Sequence, residues 1–269
     1  MKMNLLFRIS FFAFLMASFS AQAVEHLRLS TTTSTENSGL MAVLHPVFEE
    51  KYGVKIDVIA VGTGKALKIG SRGDVDAVFV HAPAAELAYV ARGDFIDRQP
   101  VMHNDFVLIG PASDPAGIAG SVSVEQALES IMQAEARFVS RGDDSGTHKK
   151  ELALWKQADL LPTGRWYIKA GQGMGAVIKI ADEMGAYTLS DRGTQIAFEE
   201  KVSLKVLYQG VPPLFNPYHI MAVNPDKHRH VNYDLAKKYI DFVTGEQGQR
   251  LIRDFKIKSQ PLFYPDVIE

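Results

Sequence analysis

The chain has 269 residues, 46% of them hydrophobic and 22% charged, with a formal charge of −2, enough to bury one large core or two ordinary ones. This composition excludes disordered, collagen-like and coiled-coil proteins, and the near-balanced charge gives no global attraction to nucleic acid or to an anionic membrane, so any anion must be met by a local site. Cysteine is absent, which excludes disulfide frameworks, zinc ribbons, thiol nucleophiles and a lipid-modified N-terminal cysteine.

Residues 1–23 read as a secretory signal peptide: Lys2 and Arg8 supply positive charge, residues 9–16 with Phe19 an apolar run, and Ala21-Gln22-Ala23 the small-x-small cleavage pattern. The run is short and broken by serine, a poor membrane span. Export without a cysteine for lipid attachment points to the periplasm, which confines a free protein.

Downstream, short β-rich runs alternate with helical periodicity, the pattern of α/β architecture. Residues 27–30 read as a strand. Leu40, Val43, Leu44, Val47 and Phe48 form one stripe of a helix ended by Gly53. Strand 55–61, helix 65–70, the apolar, doubly buried strand 77–81 and helix 86–91 follow. The pattern changes over 101–110 and the loop 111–120. A second α/β set then runs through helix 124–136, strand 137–140, helix 147–158, strand 166–170, helix 174–184, strand 187–190, helix 192–201 and strand 205–208. After a proline-rich break at 211–217 come strand 219–223, helix 233–244 and a helical stretch, 246–255. The last segment is too small to stand alone, so it is expected to fold back on the first lobe, giving two lobes joined by crossings near 101–105 and 216–219.

Each candidate site lies where a strand ends and a helix begins, where unpaired backbone N–H groups and the positive helix end attract anions. Residues 31–35 are five consecutive hydroxyls, Thr31, Thr32, Thr33, Ser34 and Thr35; one suffices for an N-cap, so an anion-facing role is favoured. Gly62-Thr63-Gly64 lets the backbone approach a ligand, but Ala66 and the glycine spacing exclude a Walker loop. In the run 140–148, Arg141 offers a fixed fork of donors on which Ser145, the Gly146 amide and Thr147 can converge, with Asp143 or Asp144 available to hold its plane. An Arg–Asp surface pair beside a serine cap is the plainer reading of the same residues. Gly171-Gln172-Gly173-Met174-Gly175 lacks the spacing of a dinucleotide fingerprint but can turn the Gly173 and Met174 amides toward a ligand. Tyr187 opens a fifth turn, as core aromatic or as donor.

Other chemistries find little support. The eight histidines are scattered without ligand spacing, the repeated Arg-Gly-Asp tripeptides are turn punctuation, and no G-x-S-x-G elbow is present. An exported serine hydrolase or phosphoesterase would have to use Ser145 or Ser34 with His148 as base, and no third orienting group is in view.

The ordered set TTTST (31–35), AVGTGKAL (60–67), GDVDAVFVHA (73–82), VMHNDFVLIGP (101–111), SRGDDSGTHKKE (140–151), WYIKAGQGMG (166–175), AYTLSDRGT (186–194) and NPYHIMAVNP (216–225) resembles the periplasmic tungstate-binding proteins of ABC importers. Ser190 stands where threonine is expected. The resemblance implies a type II periplasmic-binding-protein fold: two α/β lobes, 24–104 with 218–269 and 105–217, joined by two crossover segments around a ligand cleft. It further implies a non-enzymatic, cofactor-free, monomeric receptor that captures tungstate or molybdate and delivers it to a membrane permease, without nucleic-acid binding, membrane insertion or a metal-cation site. Carried over residue by residue, the oxyanion donors are Ser34 with Thr32 or Thr33, then Thr63, Arg141, Ser145, Gly146, Thr147, Gly173, Met174 and Tyr187. Tungstate and molybdate are fully ionised dianions, so a selective site presents donors only, whereas a carboxylate facing the ligand would favour hydrogen phosphate. A phosphate- or sulfate-type receptor is therefore the alternative.

Overall fold

The computed structural model describes residues 24–268; the segment read as a signal peptide lies outside them. Strand β1 (Glu25–Thr32) leads through one helical turn, α1 (Thr33–Asn37), into α2 (Met41–Tyr52), followed by β2 (Val54–Val61), α3 (Thr63–Ser71), β3 (Ala77–Val80) and α4 (Pro83–Ala91). The long strand β4 (Phe95–Gly110) opens the second set: α5 (Val124–Gln133), β5 (Phe138–Ser140), α6 (Gly146–Gln157), β6 (Tyr167–Lys169), α7 (Met174–Met184), β7 (Thr188–Asp191), α8 (Arg192–Phe198) and β8 (Lys205–Tyr208). The chain returns through β9 (Phe215–Val223), α9 (Tyr233–Thr244), α10 (Glu246–Asp254) and the short strands β10 (Lys256–Ile257), β11 (Gln260–Pro261) and β12 (Tyr264–Pro265).

The first sheet runs β12-β4-β9-β3-β1-β2, with β1 parallel to both β2 and β3. Alternation along β1 and β3 divides their side chains between two helical layers. Leu27, Leu29 and Phe79 pack with Leu44, Phe48, Tyr239 and Ile240 of α2 and α9, while Val78 and Val80 pack with Ala66 and Leu67 of α3. Each fully buried leucine, isoleucine, valine or phenylalanine among them contributes about 1.5–3 kcal/mol of transfer free energy. Gly53, at φ 67°, ends α2 by donating its N–H to the Glu49 carbonyl, a conformation that costs a residue with a Cβ.

Strand β4 belongs to both sheets. Its first part pairs with β9 and β12, and Phe106 to Gly110 pair with β7 and β8. Beyond them β5 pairs in parallel with β6 and bridges Tyr187. Two further buried clusters fill this part, one around Trp155, Trp166 and Tyr187 and one around Met174, Val177 and Ile178. The chain thus passes between the two α/β lobes along β4 and again at the start of β9, where Asn104 pairs with Asn216 and Asp105 with Phe215.

Three local readings change. The hydroxyl-rich turn is itself a helical turn, α1, because the Thr32 hydroxyl caps it by accepting from the Thr35 amide. The strand after the proline-rich break starts at Phe215 and includes Pro217; β3 reaches only residues 219–222 of β9, so Pro217 is paired on one side and its missing N–H is tolerated. The tail after α10 adds β12 as an edge strand and buries Leu262 and Phe263 in the first-lobe core.

Candidate anion site

In the first lobe the three parallel strands end side by side. Thr32 is opposite Val61 at the ends of β1 and β2, and β3 finishes at Val80 on the other flank of β1. The turns at 31–35, at Gly62-Thr63 and at His81 therefore share one edge of the sheet, the carboxyl edge where open α/β sheets take ligands. The five hydroxyls are not equivalent. Thr31 is buried and donates to the Phe79 carbonyl at 2.7 Å. Thr32 and Thr35 are buried against each other, with their hydroxyl oxygens 2.6 Å apart. Thr33 and Ser34 are exposed, and Thr63 half-buried. The Ser34 hydroxyl lies 3.1 Å from that of Thr32.

In the second lobe β5, β6 and β7 also run in one direction, so the turns at 141–145, 170–173 and 191 share an edge. Hydrogen bonds from the Ala170 amide to the Ser140 carbonyl and from the Gly171 amide to the Arg141 carbonyl join the first two turns. Gly142 sits at φ 61°, where a Cβ would meet the Lys169 Cβ at 3.0 Å. Helix α6 is anchored behind the turn by buried Glu151, which accepts from the Tyr167 hydroxyl at 2.6 Å and from the Trp155 indole at 3.3 Å; burial holds its pKa above the usual carboxylate range.

Arg141 and its neighbours form a defined unit. Asp143 accepts from Arg141 Nε at 3.1 Å and from Nη2, and its other oxygen accepts from the Ser145 amide at 3.2 Å. Burial opposes ionisation of Asp143, but the hydrogen bonds from Ser145 and Arg141 prevail and hold its pKa below the ordinary value. The carboxylate thus fixes the guanidinium plane. Asp144, at φ 58°, pairs with Lys149 at 3.3 Å on the exposed side. Ser145 caps α6 by accepting from the His148 amide, and Thr147 is buried within the helix's first turn. Exposed Gly173 starts α7 as its N-cap, followed by the buried Met174.

The strand crossing lies between the His81 turn of the first lobe and the Asp191 turn of the second. Asp191, the N-cap of α8, is opposite Phe106 on β4. Two residues earlier Asn104 accepts from Asn216 Nδ2 at 2.8 Å, and Asn216 Oδ1 lies 3.1 Å from His81 Nδ1 at the end of β3. The Arg192–Asp105 pair, with contacts of 2.9 and 2.6 Å and a further bond to Gln209, sits beside this crossing. Consecutive residues of a strand point to opposite faces, so Asp105 faces away from Asn104. A cavity of about 580 Å³ lined in part by His103, Asp105, Arg192 and Tyr264 lies on that reverse face and contains none of the expected donors.

Tyr187 lies elsewhere. It is fully buried, its hydroxyl donates to Asp114 at 2.7 Å and accepts from the Ala116 amide at 2.9 Å, so the ring fills the second-lobe core and its proton is used there. The Ser145–His148 pair has no nucleophile–base contact: His148 Nδ1 accepts from the Asp144 amide at 3.0 Å, and the Ser145 oxygen takes the His148 backbone N–H. Sequence reasoning missed His81, Asn104 and Asn216. The signal for His81 was its place after the apolar strand, at the same edge as the hydroxyl turns.

The family model described as PBP superfamily domain matches residues 17–247. The tungstate-binding protein TupA of Peptoclostridium acidaminophilum is 44% identical over 249 residues, covering 91% of this chain and 87% of that protein. The chain belongs to the TupA family of the PBP superfamily. Among solved structures, the TupA tungstate-binding protein of Desulfovibrio alaskensis G20 superposes with a TM-score of 0.87 at 45% identity, covering 90% of this chain and 99% of that one. The tungstate ABC transporter structure from Geobacter sulfurreducens gives 0.74 at 58% identity, covering 86% and 99%. The fold of this PBP-superfamily chain is thus type II: two α/β lobes joined by two crossing strands with the ligand cleft between. Among the described residues no helix is long and apolar enough to cross a membrane, and no cluster of three or more His, Asp or Glu is arranged to hold a metal ion.

Proposed function

We propose that this protein is the extracytoplasmic receptor of an ABC importer, capturing tungstate between its lobes and delivering it to the membrane permease, with molybdate, of the same shape and charge, accepted by the same donors. The observation that carries this reading is the state of Asp143. Three of its roughly four lone-pair sites accept from Arg141 and the Ser145 amide, so the carboxylate is committed chiefly to the turn's own donors, and Asp144 pairs with Lys149 on the exposed side. A fully ionised tetrahedral dianion needs only donors, whereas hydrogen phosphate needs an acceptor for its proton and is disfavoured where none is offered.

The donors assigned are Thr33, Ser34 and Thr63 from the first lobe, and Arg141, Ser145, Thr147 and the Gly146, Gly173 and Met174 amides from the second. Thr32 acts through its hydroxyl neighbours, and Tyr187 is left out because its hydroxyl is already used. The lobes follow as 24–104 with 218–268, and 105–217. The protein acts as a monomer, without catalysis, after export and cleavage behind Ala23. Equilibrium dialysis against tungstate with excess phosphate as competitor tests the reading: tungstate should be retained. Its displacement by phosphate would overturn the donor-only argument.

A further inference from the structure

The chain of side chains from the crossing to the first-lobe turn has a direction. Asn216 Nδ2 donates to Asn104 Oδ1 at 2.8 Å, which orients the amide so that its oxygen faces His81 Nδ1, 3.1 Å away. An amide oxygen only accepts, so Nδ1 carries the hydrogen. In a neutral imidazole the other nitrogen is then an acceptor, and His81 Nε2 lies 3.2 Å from the Thr32 hydroxyl. Burial favours the neutral ring and lowers its pKa against the opposing pull of Glu86 and Asp191. Tyr218 stacks on the ring at 4.5 Å and adds no charge.

The consequence for the turn follows by counting. Thr32 has one proton, which goes to His81 Nε2. Its oxygen has two lone pairs. One takes the Thr35 amide at 3.2 Å, the other the Thr35 hydroxyl at 2.6 Å. Nothing remains on Thr32 to accept from Ser34, whose oxygen is 3.1 Å away. The Ser34 proton is therefore free to point out of the turn, on the exposed side. With the opposite tautomer Thr32 would accept from His81 Nε2 and the Thr35 amide and donate to Thr35, reversing the polarity of that pair while leaving Thr32 saturated. With no imidazole beside it, Thr32 would keep a vacant lone pair able to draw back the Ser34 proton.

We infer that His81, held in its Nδ1–H tautomer by Asn216, is a positioning residue: it sets the polarity of the Thr32–Thr35 hydroxyl pair and, by completing the hydrogen bonds of Thr32, leaves the Ser34 proton free for the bound anion. This inference rests on the tungstate-receptor reading and deepens it. Because Asn104 and Asn216 lie on the two strands that cross between the lobes, the polarity of the turn is also tied to the geometry of the crossing.

The test uses the full chain with its histidine rings labelled with ¹⁵N. Two-bond ¹H–¹⁵N spectra at neutral pH report the tautomer, and His81→Gln identifies the His81 signal by its loss. The expected result is Nδ1–H with Nε2 as acceptor; an Nε2–H tautomer overturns the inference, and this readout needs no variant beyond the one used for assignment. In parallel, titration with sodium tungstate compares His81→Gln, which keeps an acceptor near the Nε2 position, with His81→Leu, which has none. His81→Leu is expected to bind about tenfold more weakly than the wild type, the scale of one misdirected hydrogen bond, and His81→Gln to recover most of that loss. A folded His81→Leu variant with wild-type affinity overturns the inference. A wild-type chain that shows the Nδ1–H tautomer but takes up no tungstate overturns the functional reading while supporting the relay.

Discussion

Replacing Arg141 by alanine does more than delete one contact, because Arg141 and Asp143 are a pair. Their side chains are 18% and 22% exposed, so the pair is sheltered enough to exceed an ordinary surface ion pair. The lost charge-assisted bond to the anion is worth about 1.5–3 kcal/mol. Asp143 is then left at the site without its partner, adding a repulsion on the order of 1 kcal/mol for unit charges about 4 Å apart in water. Together these correspond to about a hundredfold weaker tungstate binding. The repulsive part vanishes when Asp143 is removed as well, so Arg141→Ala/Asp143→Ala should bind about fivefold more tightly than Arg141→Ala alone. Calorimetric titration of the wild type, both single variants and the double variant with tungstate measures this cycle, and thermal melting checks that each variant is folded. Wild-type affinity in Arg141→Ala would refute the assignment of Arg141 to the anion, and strictly additive losses would refute the coupling through Asp143.

Tyr187→Phe should leave tungstate affinity unchanged and lower unfolding free energy by about 1–3 kcal/mol, since the Ala116 amide and Asp114 lose their hydroxyl partner; denaturant titration beside calorimetry separates the two effects. Asp105→Ala strands the largely buried Arg192 guanidinium and should cost about 3–5 kcal/mol in denaturant unfolding. Stability should fall on acidification through His45, whose burial against Tyr239 lowers its pKa to about 4. The unfolded chain takes up that proton near its ordinary value of about 6.5 and the folded chain only near 4, so stability is complete above the unfolded value and declines as pH drops between the two, by about 3 kcal/mol. Unfolding curves at stepped pH measure the slope, which His45→Gln should reduce.

Periodicity located the elements that pack. The helices Met174–Met184 and Tyr233–Thr244 have the bounds read from their stripes, because each buries one regular face between a clear start and stop. The turns were legible for the same reason, since glycines and hydroxyls cluster where strands end. The tail strands after α10 were not, because each has two residues and is held by its partner strand and not by its own pattern. Tyr187 shows the limit of residue type: in sequence its hydroxyl can serve a ligand or the core, and only the position of Asp114, far along the chain, decides. The His81 relay was illegible on the same grounds, because its polarity is set by Asn216 and Asn104, which join it through contacts distant in sequence. The fate of Asp143 and Asp144 likewise turned on backbone geometry: one folds back onto Arg141 and the other, in a left-handed conformation, faces Lys149.

The most direct measurement is a side-by-side calorimetric titration of the wild-type chain with tungstate, molybdate, sulfate and phosphate at neutral pH. A donor-only cleft should take up one tungstate per chain tightly, admit molybdate, and give no tight binding with phosphate. Tight binding of phosphate or sulfate without tungstate would contradict the account.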